Sequence, residues 1–293
     1  MELWLKVLEV ILPVMIVVLA GYLFGRITKI NFKPINMIIM YIATPCLIFS
    51  SLIEGRVTLD DASQIVLVGT IIVLMSLFLS FFLIKIAKKD FAIFLNPLVF
   101  PNTANLGLPI VLFAFGEEVF DYAIIFTTVV FFFHCTIGIF IIHGGRKLGE
   151  IFKVPLIYAV VLAIFLNKTG VEINTEINNS IKLLGTTCIP LMMFSLGHKL
   201  SETRIVDFKE DFIVGVARFV MGITVSLITC KFFQVGSHLA KVIIVQYAMP
   251  SAVFNFILAD RYNKSPEKIA SIVFVSTIIS ILVIPIVLYQ FMN

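Results

Sequence analysis

Phe100-Pro101-Asn102-Thr103-Ala104-Asn105-Leu106-Gly107-Leu108-Pro109 lies between two strongly apolar runs, yet it carries two prolines, a glycine, two asparagines and a threonine. Each proline removes a backbone donor and clashes with the preceding turn, so a continuous helix is interrupted here. At membrane depth such a break must be buried in protein or line a wet cavity, because lipid offers no hydrogen bonds. The stretch is a candidate site if the chain around it spans a membrane.

Composition says that it does. The 293 residues are 60% hydrophobic and 14% charged, with a mean hydropathy of +1.07, whereas soluble domains are about a quarter charged. Apolar runs recur along the whole length and leave no room for a soluble domain of the usual ~100 residues. The net charge of +4 comes from Lys and Arg in short loops, which read as topology signals and not as a nucleic-acid surface. Cys46, Cys135, Cys188 and Cys230 fall in four different apolar runs without metal-ligand spacing, so they are expected to be inert core residues, and no cofactor or metal is expected. The start Met1-Glu2-Leu3-Trp4 lacks a basic region, so the first run is expected to be a retained helix.

A spanning helix needs about 20 mostly apolar residues. Ten segments approach that length, near residues 5–25, 35–53, 64–86, 92–115, 120–142, 153–167, 177–198, 212–233, 240–261 and 268–290. The odd-numbered loops carry 15 Lys and Arg, three in each, and the opposite side carries 6, with Arg218 inside a span. By the positive-inside rule the odd loops are cytoplasmic and both termini lie outside the cell membrane.

The two halves resemble each other. Span 2 carries Ala43-Thr44-Pro45-Cys46-Leu47 and span 7 carries Cys188-Ile189-Pro190-Leu191; spans 4 and 9 break at Pro101 and Pro250. Pro45 to Pro101 is 56 residues and Pro190 to Pro250 is 60. The expected fold is therefore all-α and polytopic: ten transmembrane helices in two five-helix repeats, residues 1–142 and 153–293, joined by a short cytoplasmic linker at 143–152. Because five is odd, the second repeat enters the membrane from the other side and is inverted.

In the first break Asn102 or Thr103 can cap the half-helix that follows, and in the second, Tyr247-Ala248-Met249-Pro250-Ser251-Ala252-Val253-Phe254-Asn255, Ser251 can do the same. Two half-helix N-termini would then meet near the midplane, each with unpaired N–H groups and a partial positive charge, a geometry that suits a carboxylate. The candidate substrate contacts are Asn102, Thr103, Asn105, Ser251 and Asn255, with Pro101 and Pro250 at the crossing.

The run at 100–109, the run Ala-Met-Pro-Ser…Phe-Ile-Leu-Ala-Asp-Arg-Tyr-Asn at 248–263, and Pro45 with its flanking Leu and Phe resemble the auxin efflux carrier family, over nearly the whole chain. The resemblance implies spans 1, 2, 6 and 7 as a scaffold that is often a dimer contact. It implies spans 3–5 and 8–10 as a transport domain, and elevator-like alternating access for organic acids, with Asn102 at the substrate carboxylate. The long loop of the plant carriers is absent, and spans 2 and 5 offer mostly apolar residues such as Ile48 and Phe131. The bacterial members imply a small carboxylate rather than auxin.

Of 18 acidic residues only Glu9 is expected to enter a span, so a carboxylate relay is not expected. His134 on span 5 is a core histidine or a coupling group. Arg218 in span 8 either snorkels to the cytoplasm or draws an anion inward. The leading reading is a carrier of a small organic anion, coupled to Na⁺ or H⁺ if coupled at all. Its alternatives are a sodium-coupled symporter of the bile-acid type and a membrane sensor that binds without translocating. Ser50, Ser195 and Ser251 lack a His or Lys partner at a recognisable spacing, so an enzyme is not expected.

Overall fold

In a computed structural model the described residues are 2–28, 30–53, 57–143, 155–171 and 173–292. The linker at 143–152 lies outside them except for His143, as do the first two residues of the sixth segment. The described chain is helical throughout: α1 (Glu2–Thr28), α2 (Lys33–Ile53), α3 (Leu59–Ala87), α4 (Phe91–Val99), α5 (Thr103–Phe115), α6 (Phe120–His143), α7 (Pro155–Thr169), α8 (Thr175–Glu202), α9 (Phe208–Phe232), α10 (Ser237–Tyr247), α11 (Val253–Tyr262) and α12 (Pro266–Phe291).

Seven of these, α1, α2, α3, α6, α8, α9 and α12, are long and apolar enough to cross a membrane, and α5 and α7 are shorter apolar helices. The large side chains they expose, such as Leu12, Ile16, Phe78 and Leu282, are what a lipid-facing surface requires, since apolar patches of this extent are not left in water. The protein is a polytopic membrane protein. The fourth and ninth apolar runs are each two helices, α4 with α5 and α10 with α11, parted at the prolines as the sequence indicates.

Packing sorts the helices into two groups. In one, α1 lies along α8, and α2 lies against α7 and the first half of α8. In the other, α3 packs on α4, α6 and α9, while α9 packs on α10 and α12. These pairs come in mates: α3–α6 matches α9–α12, α3–α4 matches α9–α10, and α1–α8 matches α7–α2.

The α1–α8 contact has no side chain at its closest points. A Cβ on Gly197 would sit 1.8 Å from the Val18 carbonyl oxygen, and one on Gly21 would sit 2.1 Å from that of Phe194. Small residues let membrane helices approach to backbone contact, where packing replaces the hydrophobic effect that lipid cannot supply. Gly197→Ala is therefore expected to force the helices apart at a cost of about 1–3 kcal/mol. A lower melting temperature in detergent would register it, and an unchanged one would disprove the close approach.

Candidate functional site

The two broken helices meet by exchanging backbone hydrogen bonds. Asn102 N–H donates to the Pro250 carbonyl (2.7 Å) and Ala252 N–H donates to the Phe100 carbonyl (3.0 Å), with Pro101 opposite Ser251 in an antiparallel bridge. In such a ladder the residue between the two bonds does not use its own N–H. Pro101 occupies that position, so its missing donor costs nothing there. Proline breaks the helix, and the pairing satisfies the backbone that the break frees.

On one side of the crossing, α4 and α10 end and their last carbonyls need donors. Arg218 supplies them from α9: Nη1 donates to the Leu98 carbonyl (2.9 Å) and Nη2 to the Tyr247 carbonyl (2.6 Å). The guanidinium lies 4.6 Å from the Tyr247 ring centre, and the Tyr247 hydroxyl donates to the Val99 carbonyl (3.0 Å). Arg218 is fully buried. This corrects the expectation that the side chain snorkels to the surface; Arg218 also does not line the cavity described below. Its charge is offset locally: two helix C-termini at about half a negative charge each roughly balance one guanidinium.

On the other side, α5 and α11 begin. Their N-cap residues are Asn102 and Ala252, and neither makes a side-chain cap bond. The expected caps are therefore absent. The Ser251 hydroxyl instead accepts from Asn255 Nδ2 (3.0 Å), and Ser251 N–H donates to the Ser276 hydroxyl (3.2 Å).

A cavity of about 730 Å³ opens over these N-termini. Of the residues picked from sequence, Pro101, Asn102, Thr103, Asn105 and His134 line it; Ser251, Asn255, Pro250 and Arg218 do not. His134 is buried and stacks on Phe100, with ring centres 4.2 Å apart and planes 7° apart. Two lining residues that the sequence did not single out are Thr127 and His198. Thr127 stands two turns before His134 on α6, and this heptad spacing could have found it. Among the described residues, Asn102 Nδ2, Thr127 Oγ1 and His198 Nε2 are buried polar atoms with no hydrogen-bond partner. Buried polar groups are rarely left so without water or a ligand to meet them.

The rim carries Lys33, Lys199, Glu202, Asp260 and Arg261. At the opposite helix ends the two helix groups touch directly: Trp4 stacks on Tyr289 (4.6 Å), and the Ser51 hydroxyl donates to Asp121. The acidic census is corrected here. Glu9 lies within α1 as expected, but Asp121 and Asp211 also enter membrane-crossing helices, buried in the first turns of α6 and α9. Asp211 pairs with Lys268 (2.6 Å) and accepts from Ser271.

Broken helices crossing beside a cavity, in a protein built of membrane-crossing helices, define the class of multi-pass membrane transporters. The chain matches the model of the membrane transport protein family over residues 6–151 and 145–288. It belongs to that family, the family of the auxin efflux carriers. An uncharacterized transporter of Methanocaldococcus jannaschii is 28% identical over 299 aligned positions, covering 94% of this chain and 96% of the relative. One from Methanothermobacter thermautotrophicus is 25% identical with the same coverage. Auxin efflux carrier component 8 of Arabidopsis thaliana is 32% identical over 107 positions, 36% of this chain and 29% of the relative.

Removing the guanidinium should unsettle the crossing. Arg218→Gln leaves at least one of the Leu98 and Tyr247 carbonyls unmet, at about 1–3 kcal/mol for each. Arg218→Lys, a single-point donor in place of a fork, should be intermediate. Melting temperatures in detergent in the order wild type, lysine, glutamine are expected, and equal values would refute this role.

Proposed function

We propose that the protein carries a small organic anion, a mono- or dicarboxylate, across the cytoplasmic membrane by an elevator-type alternating-access cycle. The observation behind this reading is the pair of uncapped half-helix N-termini facing one cavity, with the Asn102 side-chain Nδ2 unpartnered beside them. Unmet N–H groups and partial positive charge at helix N-termini favour an oxyanion. In this reading α1, α2, α7 and α8 form a fixed, dimerising scaffold, and α3–α6 with α9–α12 form the moving bundle. The mated packing pairs support two inverted repeats of five spans. The charge bias of the loops supports a rim on the cytoplasmic side and both termini outside. The contacts at the far helix ends then close the outer face, which makes this an inward-open state.

A second reading, sodium-coupled symport, has one observation behind it. Asn96 Oδ1 and Gln246 Oε1, on α4 and α10 just before the crossing, are buried oxygens without a partner among the described residues, and unmet oxygens can hold Na⁺.

Flux into proteoliposomes decides between the readings, with radiolabelled succinate, butyrate, hexanoate and phenylacetate tested in Na⁺ and in choline. Saturable flux of at least one acid is expected, equal in the two media and reduced about tenfold or more in Asn102→Ala and Thr127→Val. Wild-type rates in both variants would sink the site assignment, and loss of flux in choline would favour symport. Light scattering of the detergent-solubilised protein is expected to give the mass of a dimer.

A further inference from the structure

The cavity has two walls that belong to different helix groups. One wall is the crossing and α6, with Asn102 and Thr127. The other is a face of α8 on which Met192, Ser195, His198, Lys199 and Glu202 follow at helical spacing. His198 is the deeply buried ionisable group of that second wall, 2% exposed. Its ring has neighbours on three sides. It stacks on Phe32 with centres 4.3 Å apart, Nδ1 lies 3.8 Å from a Glu202 carboxylate oxygen, and Gly25 of α1 leaves room only for the bare ring edge, 3.0 Å from where a Cβ would stand. Glu202 is held in turn by Lys199 (3.1 Å), whose ammonium rests 3.5 Å over the Phe256 ring. What this arrangement leaves unmet is Nε2. At 3.8 Å the Glu202 carboxylate is an electrostatic neighbour of Nδ1 and not a hydrogen-bond partner, so the ring is held by its packing on Phe32 and α1.

We infer that His198 Nε2 is a second anchoring point for the transported molecule, taking a second oxyanion or hydroxyl at the end remote from the crossing. The inference rests on the carrier reading above. Because His198 stands on α8 and Asn102 on the α5 side, the two anchors share one cavity in this conformation and separate when the bundles move past each other. The far anchor therefore belongs to the inward-open state alone.

Succinate and butyrate, four-carbon acids with two carboxylates and one, separate the two anchors when titrated calorimetrically onto purified protein. Wild type is expected to bind succinate about tenfold more tightly than butyrate, as a charged hydrogen bond would give. His198→Gln should remove that preference with butyrate affinity unchanged, Glu202→Gln should reduce it with the imidazole intact, and Asn102→Ala should weaken both acids. Ligand-free melting temperatures identify any variant that is merely unfolded. In liposomes of defined orientation, His198→Gln should raise the succinate KM at the inner face only. Equal affinities in wild type, or a preference untouched by both His198→Gln and Glu202→Gln, overturn the anchor but leave the carrier reading standing. Absence of binding by both acids overturns the anchor, and the carrier reading falls only if hexanoate and phenylacetate also show no saturable flux.

Discussion

Two backbone hydrogen bonds, from Asn102 to Pro250 and from Ala252 to Phe100, hold the arrangement on which the rest depends. Without them the prolines would leave bare peptide groups in the middle of an apolar protein, each costing several kcal/mol in lipid. With them, two half-helices can stop and restart inside the bundle. The interruption produces four free helix ends at one point, and the protein treats the two kinds of end in opposite ways. The C-terminal ends are closed by Arg218, whereas the N-terminal ends are left open to the cavity.

That asymmetry sets the electrostatics. A guanidinium in a low-dielectric interior is costly unless its charge is met and its donors are used. Here it is met by dipoles and not by a carboxylate, so the neutralising partner is part of the same broken helices and cannot be lost by titration. Because the C-terminal ends are already satisfied, the positive ends remain for whatever enters the cavity. Asp211 and Lys268 form a separate ion pair between the first turns of α9 and α12, so the crossing is not charged through them.

Sequence made the polytopic helical fold readable because spanning helices announce themselves by length and hydropathy, and because proline and polar residues are conspicuous against an apolar background. The breaks at 101 and 250 were legible for the same reason. The partners of the break were not. Nothing in the order of residues says that Arg218 reaches Leu98, 120 positions away, and a lone arginine near a span end reads equally as a snorkelling side chain. Ser251 looked like a cap because serine caps helices in general; its hydroxyl is engaged by Asn255 instead. Asp121 and Asp211 were missed because a carboxylate at a span boundary is assumed to face water, whereas first-turn positions of packed helices are covered by neighbours. His198 needed the cavity to be seen, since histidine in a membrane helix commonly bonds within the bundle, whereas Thr127 had only its spacing from His134 to mark it.

The glycine contact between α1 and α8 has a consequence for how shape can change. Side chains can swivel between rotamers and let two helices slip by an ångström or more, but backbone pressed on backbone has no such slack. The joint at Gly21 and Gly197 is consequently a weld, and relative motion is confined to seams lined by longer side chains. One seam of that kind already contains the cavity, so any slip of the helices along it would change the cavity's shape.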